Sequence, residues 1–272
     1  MSYKTLLVHV EPTPESDLRL RAAVALAGEL GATLIGVGGC EAAYLDSAWI
    51  ASDIDGMAVQ ALMDNDSAEL KEAESRFHTL AAPLGSAALW RSDSDYPDRA
   101  LQIFAAGADL IVSGAHRGPK AYTAATIDLV MQAGVPILTI PTDLPSIRTK
   151  SIVIAWKNTR EARRAVSDAL PLLKRAEQVT VLQVCKADQV GGWDGLDNVV
   201  GRLERHGVNA AAKTLQKPAG DPADTLIRFA EETLADLIVA GAYGHSRARE
   251  WALGGVTLGL IERSPLPVLF SR

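Results

Sequence analysis

Short apolar runs alternate with amphipathic, alanine-rich stretches along the whole chain. Leu6-Leu7-Val8-His9-Val10, Leu110-Ile111-Val112, Ile152-Val153-Ile154-Ala155-Trp156 and Leu237-Ile238-Val239 read as buried strands. Their alternation with helical segments is the pattern of a parallel sheet covered by helices on both faces. The helices carry their own punctuation. Ser16 is the expected N-cap of the first and Gly31 its C-cap, with Ala23, Leu26, Ala27 and Leu30 on one face. Thr159 is placed to cap a helix that turns Ala162, Ala165, Val166, Ala169 and Leu170 inward, and Pro171 should kink or end it. Asp221-Pro222 combines an acceptor at the N-cap with proline at the first helical position, and Asp95 with Pro97 plays the same part earlier.

The chain repeats itself once. Leu6 to Val10 corresponds to Ile152 to Trp156, and the stretch from Ala32 to Cys40 aligns without gaps with Glu177 to Cys185. Asp109-Leu110-Ile111-Val112-Ser113-Gly114-Ala115 recurs as Asp236-Leu237-Ile238-Val239-Ala240-Gly241-Ala242, and Val135-Pro136-Ile137-Leu138 as Leu266-Pro267-Val268-Leu269. Four matches in one order define two tandem domains, 1–146 and 147–272; solenoid repeats are far shorter, roughly 20 to 50 residues. The halves differ most after Cys40. The first makes a long excursion through Tyr44, Trp49, Asp53, Asp55 and Gly56, followed by a helix expected over about 59–82 and a strand near Ala87 to Trp90. The aromatics of that excursion suit either a lid or packing between the halves. The second half crosses the gap with a short turn, Gly191-Gly192-Trp193-Asp194-Gly195, and a helix over about 196–206.

The stretch from Ala240 to Arg263 carries the candidate chemistry. After the strand come Gly241 and Gly244, three apart, and nine residues later Gly254 and Gly255, followed by Val256 and Thr257. Glycines let main-chain N–H groups approach a ligand, and a helix starting near Val256 would aim its unpaired N–H groups at the same spot. That combination suits a phosphate chain. After Gly114 the first half is shorter and lacks the glycine pair; His116, Arg117 and Lys120 remain there as anion contacts without a cradle. One nucleotide site per chain is therefore expected.

The Gly-x2-Gly-x9-Gly pattern, with its preceding strand and the later Pro265-Leu266-Pro267-Val268-Leu269, resembles the nucleotide loop of the universal stress protein (UspA-like) family. The resemblance covers essentially the whole chain. It implies two doubly wound α/β domains, each a five-stranded parallel sheet in the order 3-2-1-4-5 flanked by helices, forming a pseudo-dimer within one chain. It also implies ATP as ligand, with or without Mg²⁺. Gly241, Gly244, Gly254, Gly255, Val256 and Thr257 would surround the phosphates, and main chain near Val184 would meet the adenine. Trp156 and Lys157 would flank the crevice where strand order reverses, as open parallel sheets require. Two positions depart from the family: Gly255 stands where Ser or Thr is usual, and Lys157 where an Asp normally faces the nucleoside, with Glu11 as its counterpart in the first half. Lysine cannot accept a hydrogen bond from a ribose hydroxyl; it either reaches a phosphate or is a solvated loop residue. His245 and Ser246 lie inside the loop as further phosphate contacts, while Arg247 and Arg249 beside them suit solubility equally. Trp251 suits a packing anchor better than a stacking platform.

Composition narrows the function classes. The 272 residues are 48% hydrophobic, enough for a core in each half, and the formal charge of −6 argues against a duplex-binding surface. No run approaches the roughly 18 apolar residues of a membrane span. The amino terminus enters a strand pattern with no signal-peptide pattern, and Cys40 and Cys185, at equivalent strand ends, give no disulfide framework; a cytoplasmic location is expected. His9, His78 and His206 show no metal spacing, and no catalytic residue can be named. The leading expectation is a nucleotide-binding stress-response or regulatory protein, with homodimer formation along the last strand as the family's usual assembly. A Usp scaffold for protein interaction without ligand is the alternative. Slow ATP hydrolysis or phosphotransfer ranks below both, because no general base is evident.

Overall fold

The computed structural model describes all residues except 1, 40–55, 94–95, 116–119, 145, 186–194, 217–219 and 244–254. The strands are β1 (Thr5–His9), β2 (Thr33–Gly38), β3 (Ala88–Ser92), β4 (Leu110–Ala115), β5 (Ile137–Pro141), β6 (Ser151–Trp156), β7 (Gln178–Cys185), β8 (Ala210–Gln216), β9 (Leu237–Gly241) and β10 (Val268–Ser271). The helices are α1 (Pro14–Leu30), α2 (Gly56–Ala81), α3 (Pro97–Ala105), α4 (Lys120–Gln132), α5 (Arg160–Leu173), α6 (Leu196–Arg205), α7 (Pro222–Glu232) and α8 (Gly255–Arg263). By contacts the chain divides into two compact units. One comprises Lys4–Gly114 with Thr142–Ser146; the other comprises Met1–Tyr3, Ala115–Pro141 and Ile147–Arg272.

In the first unit β1 is parallel to both β2 and β4, and β2 to β3, giving the order β3-β2-β1-β4. The Asp109 carboxylate accepts from the main-chain N–H groups of Lys4 (2.6 Å) and Thr5 (2.9 Å), pinning the start of β1 beside the start of β4. α1 is capped by Thr13, whose hydroxyl accepts from Ser16 N at 3.2 Å, and it ends at Gly31 with φ 60°. Thr13 thus takes the part expected of Ser16. Pro14 fits the first helical position, which shifts the cap back, and buried Ser16 instead accepts from Glu11 N at 2.9 Å. Ala23, Leu26 and Ala27 are buried as their spacing requires, whereas Leu30 is half-buried. α3 begins at Pro97 after Tyr96, which makes no side-chain cap; Asp95 lies outside the described residues.

The long α2 lies against α1 and β2. A Cβ on Gly36 would sit 2.4 Å from the Phe77 ring, and one on Gly38 would sit 2.8 Å from Leu70 and 2.9 Å from Trp90. Two strand glycines therefore open the space that α2 fills. Phe77 is fully buried there, with its ring 5.6 Å from that of Trp90. Tyr44, Trp49, Asp53 and Asp55 lie outside the described residues.

In the second unit β6 is parallel to β7 and β9, β7 to β8, and β9 to β10, so the strands run β8-β7-β6-β9-β10. This is the order 3-2-1-4-5. β5, the last strand of the first repeat, adds to the other side of β10 in antiparallel fashion, pairing Leu138 with Leu269. The two repeats are thus joined through their last strands. Asp236 repeats the device of Asp109, accepting from Lys150 N at 3.0 Å and Ser151 N at 2.9 Å. α5 is capped by Thr159 and α7 by Asp221 with Pro222 behind it, as their sequences require. Pro171 sits within α5 two residues before its end; Leu172 and Leu173 are buried and Leu170 is half-buried. α7 and α8 pack closely enough that a Cβ on Gly259 would stand 2.6 Å from Ala223 Cβ, and Arg263 bridges Asp221 (2.5 Å) and Asp224 (2.9 Å).

Replacing Phe77 by Ala should leave a cavity against Gly36 that the strand cannot close. We expect a loss of about 3–5 kcal/mol in chemical denaturation; a loss below about 1 kcal/mol would mean that α2 does not depend on this contact.

Candidate functional site

Trp156, Lys157, Val184, Gly241, Gly255, Val256 and Thr257, the expected site residues that are described, lie at strand ends or at the start of a helix in the second unit. β6 lies between β7 and β9, with Ala155 opposite both Leu182 and Ala240, so the chain leaves these three strands side by side. At the end of β6, Trp156 is 6% exposed and packs in the core, while Lys157 is exposed on the loop. Lys157 O accepts from Thr159 N at 2.6 Å, which folds the loop directly into the α5 cap. Val184, half-buried near the end of β7, pairs with Leu215 of β8.

Gly241 closes β9. A Cβ there would meet the backbone of Glu161 and Ala162 at 2.5 to 2.8 Å. The absent side chain is thus what admits the first turn of α5 against the end of β9, a close approach that no rotamer change could relieve. α8 begins at Gly255, whose Cβ position meets nothing within 4 Å among the described residues. Val256 is half-buried, and Thr257 is buried with its hydroxyl accepting from Tyr243 N at 3.4 Å. Thr257 thereby ties the first turn of α8 to the end of β9. Gly244, His245, Ser246 and Gly254, together with Arg247, Arg249 and Trp251, lie outside the described residues.

Tyr243 escapes a reading based on glycine spacing. It adopts φ 56°, a conformation that an aromatic residue takes only under constraint. Its buried hydroxyl has no hydrogen-bond partner among the described residues. Burial, with a smaller contribution from the Asp128 carboxylate, pushes the phenol up to about 12.

The corresponding strand end in the first unit is closed on itself. Glu11, the counterpart of Lys157, is ion-paired at 2.8 Å to Arg19, which is only 4% exposed. The same guanidinium donates to His9 O (3.0 Å) and Ser16 Oγ (3.1 Å), and His9 Nδ1 lies 3.9 Å from Glu11. A carboxylate held by a buried arginine is poorly placed to serve a ligand as well. His116 and Arg117 lie outside the described residues, and nothing is assigned to the Lys120 side chain. Among the described residues no group of His, Cys, Asp and Glu could hold a metal ion, and no helix is long and apolar enough to cross a membrane. Cys185 is buried as a free thiol, and Cys40 lies outside the described residues.

A parallel sheet whose strand order reverses at β6 and β9, with a glycine-started helix following β9, defines a doubly wound α/β domain. The sequence profile of the Universal stress protein family matches residues 148–272. The universal stress protein Slr1230 of Synechocystis is 31% identical over 70 residues, an alignment spanning 26% of this chain and 23% of that protein. The fold extends further. A universal stress protein from Archaeoglobus fulgidus superposes with a TM-score of 0.77 at 17% identity, covering 98% of this chain and 96% of its own. A functionally unknown protein from Pseudomonas aeruginosa PAO1 superposes with a TM-score of 0.60 at 15% identity, covering 99% and 92%. The UspA-like fold is thus present in both repeats.

Because the folded state keeps Tyr243 neutral up to about pH 12 while the unfolded phenol ionises near its ordinary value of about 10, stability is unaffected below about pH 10 and falls as pH rises towards 12. Ultraviolet titration should find one phenol ionising last, and Tyr243→Phe should remove it and flatten the alkaline loss of stability. An unchanged late phase in the variant would contradict this placement.

Proposed function

We propose that the second repeat binds an adenine nucleotide, ATP with Mg²⁺, and that nucleotide occupancy is the signal by which the protein acts in stress response or regulation. The observation that carries this reading is the meeting of the first turn of α8 with the end of β9, beside β6, where strand order reverses. The main-chain N–H groups of Gly255, Val256 and Thr257 have no carbonyl one turn earlier within the helix, and the positive end of the helix favours the phosphates. Gly244, His245, Ser246 and Gly254 complete the phosphate contacts, and main chain at Val184 meets the adenine.

Lys157 changes how such a site works. An ammonium cannot accept from ribose, so nucleoside recognition rests on main-chain groups and Lys157 serves the phosphates as a cation. No described side chain is placed as a general base, so hydrolysis, if any, is slow. The same lysine favours a second reading, a scaffold that kept the fold and lost the ligand.

Calorimetric titration of ligand-stripped protein with ATP and Mg²⁺ separates the two. We expect one site per chain, lost in Gly254→Val. Absence of binding by the folded parent chain would favour the scaffold; binding retained in Gly254→Val would refute the loop assignment. A second test uses the open space at Gly255. Gly255→Ser restores the hydroxyl expected from the family pattern and should tighten ATP binding roughly threefold to tenfold. Unchanged or weaker affinity would place the phosphates elsewhere.

A further inference from the structure

A cavity of about 480 Å³ opens in the second unit beside the end of β10, whose Ser271 pairs with Gly241 of β9. Val130 and Met131 at the end of α4, Gly134 and Val135 in the turn before β5, Arg160 and Arg164 of α5, and Ser271 and Arg272 after β10 line it. The antiparallel pairing of β5 with β10 creates this place, because the start of one strand lies beside the end of the other. Gly134, at φ 70°, makes the turn that lets α4 end on the same rim.

Three guanidinium groups with no acidic residue among the lining are an unusual wall for a small cavity. Their internal partners are accounted for. Arg160 spends Nε on Glu161 (3.0 Å), Arg164 spends Nε on Asp168 (2.8 Å), and Arg272 donates one Nη to Met131 O (3.2 Å). The Nη groups of Arg160 and Arg164, with Nε and the second Nη of Arg272, have no partner among the described residues. The Asp168 carboxylate, which balances part of the Arg164 charge, also accepts from Ser271 Oγ at 2.6 Å, and the Asp168 main-chain oxygen accepts from Tyr3 Oη at 2.5 Å. Val130, Met131 and Val135 supply an apolar wall opposite.

We propose that this cavity binds a small organic phosphate: guanidinium groups hold the phosphoryl oxygens in paired hydrogen bonds, and a short apolar body rests on Val130, Met131 and Val135. Forked N–H groups match phosphate geometry better than any other side chain, and the volume lies in the range of small-molecule sites. The proposal does not rest on the function proposed above, although Arg160 follows Lys157 by three residues and Ser271 pairs with Gly241.

The test is titration of the full chain with phenyl phosphate and, separately, inorganic phosphate, followed by amide chemical shifts. We expect saturable shifts at Gly134, Ser271 and Arg272, with phenyl phosphate binding more tightly than inorganic phosphate. Arg164→Gln and Arg272→Gln should each weaken binding about tenfold or more while leaving the melting temperature of the ligand-free protein essentially unchanged. Gly254→Val should leave it intact. Absent shifts, or binding that survives both arginine changes, would overturn the proposal; Arg160→Gln provides a third variant should either of the others fold poorly.

Discussion

A parallel strand can be followed by another parallel strand only if the chain crosses back over one face of the sheet, and β6 is where the crossovers diverge. The chain leaves β6 through α5 towards β7 on one side, while β9 lies on the other. The loops after these strands therefore part company and leave a crevice at the carboxyl end. Everything proposed for the nucleotide follows from this one constraint. Asp236 aligns the beginning of β6 with that of β9, Gly241 lets α5 start against the end of β9, and Thr257 draws α8 to the same point. Each is a small device, and together they place helix N-terminal N–H groups over the reversal.

Duplication produced the constraint twice, and the two copies have been spent differently. Asp109 holds β1 beside β4 in the manner of Asp236. After β1, however, the first unit pairs Glu11 with the buried Arg19, and it packs the long α2 on β2 through Phe77 against Gly36. In the second unit Lys157 stands at the position of Glu11, and the shorter α6 packs on β7 and β8. This unit leaves Lys157 exposed and open space at Gly255.

Much of this was legible in the sequence because it depends on local rules. The strands announced themselves as apolar runs, and the caps at Thr159 and Asp221 followed from side-chain chemistry and proline position, whereas the compact units place Ala115–Pro141 with the second repeat and so depart from the expected division at 146. Ser16 was a near miss, since Thr13 followed by Pro14 offers the better start and leaves Ser16 to hold Glu11 N. What pattern reading misses is contact between distant residues. Gly36 and Gly38 look like weak points in a strand until α2 is seen to occupy their space. Gly241 reads as a ligand glycine, yet its bare Cα is required by helix packing. Tyr243 is hidden between the glycines that draw attention, and the arginine cavity joins residues more than a hundred positions apart.

The central claim, that the second repeat alone holds the nucleotide at the β6 and β9 strand ends, is tested most directly by mapping ATP and Mg²⁺ onto the backbone amides. Saturable shifts are predicted at Lys157, Val184, Tyr243, Gly255, Val256 and Thr257, with none at Val10, Glu11 or Ser16. Shifts centred on Glu11, or confined to residues away from both strand ends, would contradict the account.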